Sequence, residues 1–355
     1  MDASLERRAA AEKELKAAVR EMPRTESSHT ARDSLANMYF RDGRYRNAHR
    51  QIEQMISENP AAEDTKAAQS LFAAAARFPD LTVASSEPST VQGEMIEGNL
   101  FVPVTANRVS GTFMVDTGAG ISIMSESEAR RLRLKVLKTA SRLSDITGAS
   151  VGVRVADVPD LWIGKTHLKH VVFAVSPDAN DPLLELPEGH RGVLGIQVLI
   201  ALGSFRVSKE SRFDIQPEAA PASAKIVPLA FDGDNPVAQM MLDGKTLNFT
   251  FDTGAVRTYL GPIFAAQFPE LMRTGSKMNH TQTGLSGSAN QESVVLPSVR
   301  FSLGKGVELD SATVLLKTTT ATSSWAAGNL GFDLISQVLP ITIDLRSMQL
   351  ILEDR

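Results

Sequence analysis

Two stretches decide the fold of this chain: FMVDTGAG at 113–120 and FTFDTGAV at 249–256. In each, an apolar run typical of a β-strand leads into Asp-Thr-Gly. The glycine permits the backbone to turn tightly and bring the preceding carboxylate to the surface of a lobe. One Asp-Thr-Gly is unremarkable, because such tripeptides occur in ordinary β-turns. The information lies in the second copy, which follows the first by 136 residues.

Two further pairs of landmarks keep the same spacing. Thr147-Gly148 corresponds to Thr283-Gly284, and the Gly-Val-Leu-Gly of 192–195 corresponds to the Gly-Asn-Leu-Gly of 328–331. Three separated landmarks at one offset indicate duplication of a β unit that is too long for a solenoid repeat. Strand patterns support this, with turn residues separating apolar runs at 100–104, 111–115, 151–155 and 171–175.

The sequence therefore predicts two β-rich lobes, at 95–215 and 225–355. The Pro/Ala-rich residues between them, 216–224, have no apolar period and are expected to form a linker. If a pseudo-twofold axis relates the lobes, Asp116 and Asp252 meet at that axis.

Residues 1–85 have a different pattern, with apolar residues at helical spacing, and predict a helical domain. Several of its residues fall where a tetratricopeptide repeat places its packing positions: Leu35, Ala36, Tyr39, Gly43, Tyr45, Ala48, Ile52 and Pro60. An unspecific helical bundle is the alternative. A cap at Ser27, Ser28 or Thr30 is expected for the first helix of this unit. One repeat cannot bury its apolar face alone, so the segment should pack on neighbouring helices, on the main body or on a partner.

Two carboxylates that meet about 3 Å apart share one proton, because both cannot ionise easily. One can then act as general base on a water molecule while the other protonates a substrate carbonyl. The paired aspartates thus predict amide hydrolysis without a covalent intermediate.

The twin motifs, each followed by an apolar-glycine motif (VLGI at 193–196, NLGF at 329–332), resemble the retropepsin-like aspartic peptidases of clan AA. The ending LGFDLISQVLPITIDLRSMQLIL is similar to the closing segment of that family, and the resemblance covers 95–353 in two copies. It implies a mainly β, bilobal pepsin/retropepsin-like fold behind an N-terminal helical, tetratricopeptide-like domain. The presence of two lobes in one chain resembles the pepsin-like enzymes, whereas the short lobes and the DTGA motifs resemble the retropepsins.

The resemblance also implies roles for particular residues. Asp116 and Asp252 would be the catalytic pair, with active-site support from Thr117, Gly118, Thr253 and Gly254. Flap residues near the substrate would be Thr147, Gly148, Ala149, Thr283, Gly284 and Leu285. The first flap region, 145–150, has no tyrosine, unlike pepsin, and neither flap is as glycine-rich as a retroviral one. Flap mechanics therefore stay open.

Composition excludes several other classes. A net charge of −4 and a pI near 5.9 give no basic surface for nucleic acid. No apolar run approaches 18 residues, so no membrane span is expected. The absence of cysteine excludes disulfides and thiolate chemistry, and no HExxH motif competes with the aspartates. No metal or organic cofactor is expected. The first residues lack an apolar signal core, which is expected either of a cytoplasmic protein or of a sequence from which a signal or anchor segment is missing. A start that looks truncated, together with the resemblance to bacterial envelope-associated members, favours a periplasmic or secreted protein; a cytoplasmic one stays open.

The predicted activity is that of an aspartic endopeptidase acting on an extended peptide or protein held between the lobes. Two alternatives belong to other classes. One is a peptide-binding module without catalysis, and the other is a scaffold that acts through its helical domain. The N-terminal helices could recruit a protein partner, self-associate or occlude the cleft.

Overall fold

The structure is a computed structural model, and it describes residues 3–59, 63–144, 150–179, 181–284, 287–296, 299–304, 307–311, 314–317 and 325–353. The chain is mainly β, with curled sheets in a two-lobed arrangement and a helical region at its N-terminus. This confirms the fold class that the sequence predicts.

The N-terminal region consists of helices, as its apolar spacing predicts: α1 (Ala3–Glu21), α2 (Glu26–Arg41), α3 (Tyr45–Glu58) and α4 (Glu63–Ala75). The expected cap at Ser27, Ser28 or Thr30 is wrong, because α2 is capped by Thr25. The Oγ1 atom of Thr25 accepts a hydrogen bond of 3.2 Å from the Ser28 amide, and Ser28 Oγ accepts one of 3.1 Å from the Thr25 amide. This reciprocal pair satisfies two free donors and sets the start of the helix at Glu26. No helix in the described part of the chain is long and apolar enough to cross a membrane.

Strands of the first lobe are β1 (Thr82–Ser85), β2 (Ser89–Gln92), β3 (Glu94–Ile96), β4 (Asn99–Ala106), β5 (Val109–Val115), β6 (Ser122–Ser125), β7 (Val136–Ser144), β8 (Ser150–Val158), β9 (Leu161–Ile163), β10 (Thr166–Lys169), β11 (Val171–Ser176), β12 (Gly192–Leu194), β13 (Ser204–Val207) and β14 (Arg212–Ile215). Short helices α5 (Glu126–Arg131) and α6 (Ile196–Leu202) and a 3-10 turn (Pro182–Glu185) lie between them. The main sheet runs in the order β1-β10-β9-β4-β5-β12-β6-β11-β8-β7, with β3 paired to β4.

Strands of the second lobe are β15 (Lys225–Asp232), β16 (Asn235–Leu242), β17 (Lys245–Phe251), β18 (Tyr259–Leu260), β19 (Ser276–Gly284), β20 (Gly287–Leu296), β21 (Val299–Leu303), β22 (Glu308–Ser311), β23 (Val314–Lys317), β24 (Gly328–Leu330), β25 (Ile341–Asp344) and β26 (Gln349–Leu352). The helical pieces here are α7 (Pro262–Gln267), α8 (Pro269–Arg273), α9 (Phe332–Ile335) and a 3-10 turn (Ser336–Val338).

The two lobes repeat the same strand order. In the first, the strands run β5-β12-β6-β11-β8-β7, and in the second they run β17-β24-β18-β23-β20-β19. The parallel pairs also correspond, because β12 is parallel to β5 and β11 to β6, just as β24 is parallel to β17 and β23 to β18. The order of hydrogen-bonded neighbours thus shows the same duplication as the spacing of the sequence landmarks.

The second sheet continues from the repeated unit of the second lobe to strands of the first lobe, in the order β17-β16-β15-β26-β25-β13-β14-β2. Strands β13 and β14, which precede residues 216–224, pair with each other. Strand β13 also pairs with β25, and β14 also pairs with β2. Strand β15, which follows those residues, pairs with β26. Segments on both sides of the predicted linker therefore belong to one continuous sheet, and the sheet holds the lobes in a fixed relation.

The helical region packs on its own helices and on the main body. Leu35, Ala36 and Ala48 are fully buried between α2 and α3, and this cluster continues onto Val153, Val155, Val172 and Ala174 of the first lobe. The hydroxyl of Tyr45 donates to the His170 carbonyl (3.3 Å) and accepts from the Val172 amide (3.1 Å). Against the second lobe, the Arg41 guanidinium donates to the Gly233 carbonyl and lies 3.9 Å from the ring centroid of Phe231.

Candidate active site

Each Asp-Thr-Gly motif lies in the loop that follows a central strand, β5 in the first lobe and β17 in the second. The apolar-glycine motifs hold these loops in place. The Asp116 amide donates to the Leu194 carbonyl (3.1 Å), and the Asp252 amide donates to the Leu330 carbonyl (3.0 Å). Strands β12 and β24 therefore fix the backbone from which each aspartate projects, which gives the apolar-glycine motifs a structural function.

Two threonines connect the loops across the lobe interface. The hydroxyl of Thr117 donates to the Phe251 carbonyl (2.6 Å) and accepts from the Thr253 amide (3.0 Å). In the reciprocal arrangement, Thr253 Oγ1 donates to the Val115 carbonyl (2.8 Å) and accepts from the Thr117 amide (3.1 Å). Both side chains are buried, at 0% and 2% exposure. Because these bonds are made in the dry interior, they fix the separation and orientation of the loops.

The two aspartates face each other at this interface. Asp116 Oδ1 accepts hydrogen bonds from the amides of Gly118 (2.8 Å) and Ala119 (3.0 Å), and Asp252 Oδ1 accepts the equivalent pair from Gly254 (2.9 Å) and Ala255 (3.0 Å). These amides point each carboxylate toward the opposite loop.

The glycines of the motifs are required by this close approach. A Cβ atom on Gly118 would lie 2.5 Å from the carboxyl carbon of Asp252, and one on Gly254 would lie 2.2 Å from that of Asp116. Real Cβ atoms do not tolerate such distances, so each carboxylate occupies the space that a side chain on the other lobe would fill.

The electrostatic environment of Asp116 shifts its pKa. Burial raises the pKa of Asp116 well above its usual range, and the charge of Asp252 and a hydrogen bond with that carboxyl group raise it further. The amides of Gly118 and Ala119 act in the opposite direction, since they stabilise the ionised form. The resulting arrangement, one protonated carboxyl beside one carboxylate, can donate a proton and accept another at the same point.

Two asparagines at the site are missing from the sequence prediction. Asn99 Nδ2 donates to the Gly254 carbonyl (2.8 Å), so it braces the second loop from the first lobe. Its counterpart at the 136-residue spacing is Asn235, and this repeated asparagine was a signal available in the sequence. Asn329 Nδ2 donates to Asp252 Oδ2 (2.9 Å). It lies inside a motif that the sequence singles out, at the position where the first lobe has Val193.

Of the six predicted flap residues, Thr283 and Gly284 lie in the described part of the chain. Thr147, Gly148, Ala149 and Leu285 lie outside the described residues. Thr283 and Gly284 end strand β19, where they pair with Ser288 and Gly287 of β20. In the first lobe, β7 and β8 pair up to Ser144 and Ser150, on either side of 145–149.

Within the described ranges, no group of three or more histidine, aspartate or glutamate side chains is placed to hold a metal ion.

Comparison with known proteins supports the same chemistry. No curated protein matches the chain. Residues 102–198 match the aspartyl protease family, a range that holds Asp116, its Thr-Gly-Ala turn and the Val-Leu-Gly motif of the first lobe. This segment is similar to aspartyl proteases, and the similarity supports an aspartic protease function for the chain.

Proposed function

We propose that this protein is an aspartic endopeptidase whose single active site is formed by Asp116 and Asp252, one from each lobe. The observation that carries the proposal is the reciprocal geometry of the pair. Each carboxyl group lies against the glycine of the opposite motif, and the raised pKa of Asp116 leaves one proton to be shared between them. A binding module would have no need for two half-buried carboxyl groups that oppose each other's ionisation.

The proposed reaction uses the pair as base and acid together. The ionised carboxylate takes a proton from a water molecule, and the water oxygen bonds to the carbonyl carbon of the peptide. The protonated carboxyl group gives its proton to the carbonyl oxygen, so a neutral tetrahedral diol forms. When the diol collapses, the C–N bond breaks and the proton taken from water passes to the leaving nitrogen. One diol hydroxyl returns its proton to the carboxylate that had protonated the carbonyl oxygen, and the C=O bond re-forms. The carboxyl product retains the water oxygen, and the pair is left with one proton for the next cycle.

The proposed substrate is an extended peptide segment, bound by main-chain hydrogen bonds as an added strand. The hairpin of β19 and β20, which ends at Gly284 and Gly287, and the hairpin of β7 and β8 are the elements proposed as flaps. Their pairing in equivalent positions of the two lobes supports this assignment.

The helical region is proposed to be a tetratricopeptide-like hairpin that is docked on the protease body. The short connection between α2 and α3 and the complete burial of Ala36 and Ala48 support this proposal. Its apolar face is already covered by the first lobe, which argues against a scaffold that works independently of the lobes.

The test is cleavage of a diverse peptide library between pH 3 and 8, read by mass spectrometry. Wild type should cleave internal bonds, and a transition-state-mimicking inhibitor with a central hydroxyl should block all cleavage. Asp116→Asn should be inactive while keeping the wild-type melting profile at acidic pH. Asp243→Asn, the same chemical change in an exposed turn, is the matched control. If the wild type binds library peptides but cleaves none, the alternative of a silent peptide-binding module replaces this proposal.

A further inference from the structure

The carboxyl pair has an asymmetry that the duplicated loops do not share. The backbone environments of the two aspartates are equivalent, since each Oδ1 accepts two amide hydrogen bonds of nearly equal length. Within the described part of the chain, Asp252 is the one member of the pair that accepts a hydrogen bond from a side-chain amide, the 2.9 Å bond from Asn329 Nδ2 to its Oδ2. The asymmetry thus comes from one side chain.

The register of the strands shows which residue replaces Asn329 in the first lobe. Asn329 lies in β24, opposite Thr250 of β17 and Tyr259 of β18. Val193 lies in β12, opposite Met114 and Ile123, and every one of these three positions is 136 residues earlier. The first lobe therefore presents a buried apolar side chain where the second lobe presents a hydrogen-bond donor.

An amide that donates to a carboxylate favours the ionised form, since such charge-assisted bonds are stronger than neutral ones. We propose that Asn329 is a positioning residue that places the negative charge of the pair on Asp252, so that Asp252 accepts the proton of water and Asp116 supplies the proton to the substrate carbonyl. This assignment of roles rests on the proposed function. The contribution of Asn329 to the ionisation of the pair does not.

The surroundings of Asp116 agree with this assignment. The group whose charge acts on it is Asp252, and its other close polar contacts are the amides of Gly118 and Ala119. Its carboxyl group is hydrogen-bonded with that of Asp252 and has a raised pKa, as expected for the partner that keeps the proton.

The test replaces Asn329 by two residues that cannot donate. Asn329→Leu conserves the shape of the side chain, and Asn329→Val copies the first lobe. Both should move the acidic limb of the kcat/KM profile upward by roughly one to two pH units, because the ionised form loses a charge-assisted bond. Asn329→Gln keeps a donor and should restore part of the shift. Val193→Leu, at the matching position beside Asp116, changes volume without changing donors and should leave the limb in place.

A second measurement does not depend on catalysis. Carboxyl carbon NMR of aspartate-labelled protein, with resonances assigned through Asp116→Asn and Asp252→Asn, follows the lower of the two apparent titration steps of the pair. That step should rise in Asn329→Leu and in Asn329→Val. If wild type cleaves no peptide but this shift is seen, the proposed function fails and the inference about Asn329 stands. If the lower step stays in place or falls in both variants, the inference is overturned, whatever the activity.

Discussion

The cross-lobe threonines make a prediction whose size can be worked out from the hydrogen bonds. Thr117→Val conserves shape but removes one hydroxyl, which leaves the Phe251 carbonyl and the Thr253 amide without that partner. Each buried polar group left unpaired costs about 1–3 kcal/mol, so the free energy of unfolding should fall by about 2–6 kcal/mol. Thr250→Val is the matched control, because the Thr250 hydroxyl donates a single bond of 3.1 Å to Gly328 within one lobe.

The assay is urea unfolding followed by tryptophan fluorescence. The chain has two tryptophans, Trp162 in the first lobe and Trp325 in the second, so Trp162→Phe and Trp325→Phe give proteins that report one lobe each. Thr117→Val should lower the transition midpoint seen by both probes, by at least twice the effect of Thr250→Val. A loss no larger than that of Thr250→Val, or one confined to the first-lobe probe, would refute the reasoning that this threonine joins the lobes.

Three further predictions concern charge and docking. Because the pKa of Asp116 is raised on folding, its contribution to stability is present at acidic pH and is lost as pH rises through that pKa, so Asp116→Asn should melt increasingly above wild type from pH 4 to pH 8. Burial raises the pKa of Asp234 to about 6, although the charge of the nearby Arg41 lowers it. Wild type should therefore lose thermal stability relative to Asp234→Asn as pH rises through about 6. A difference in melting temperature between the two proteins that stays constant with pH would contradict this. Tyr45→Phe leaves the buried Val172 amide unpaired and should cost about 1–3 kcal/mol in denaturant unfolding, more than Tyr39→Phe, whose hydroxyl bonds only within the helical region.

The sequence predicted the centre of the molecule better than its periphery. The constant offset brings Asp116 and Asp252 to corresponding loops, and the structure places them against each other. A duplicated β unit places the same loop after the same central strand in each copy, so residues at one offset are expected in equivalent positions. The apolar runs were likewise sufficient to locate β5 and β17, whose inward side chains are buried.

Features that depend on tertiary contact were not predictable in the same way. The role of Asn329 depends on a side chain reaching across from β24 to Asp252, and a strand pattern does not specify which groups meet. The docking of the helices on β8 and β11 was one of several possibilities, because an apolar helical face can be covered by any apolar surface. The start of α2 was missed because Thr25 and Ser28 satisfy each other, and three nearby hydroxyl residues offered equivalent local signals.

The central claim is that two aspartates in one chain form one catalytic site. It is tested most directly by measuring kcat/KM on one cleaved peptide for Asp116→Asn, for Asp252→Asn and for an equimolar mixture of the two. Each variant should lose on the order of a thousandfold or more in rate, because each removes one half of the acid–base pair. The mixture should remain as inactive as its components, since no molecule in it holds both carboxyl groups. Appreciable activity in either single variant, or recovery on mixing, would contradict the account.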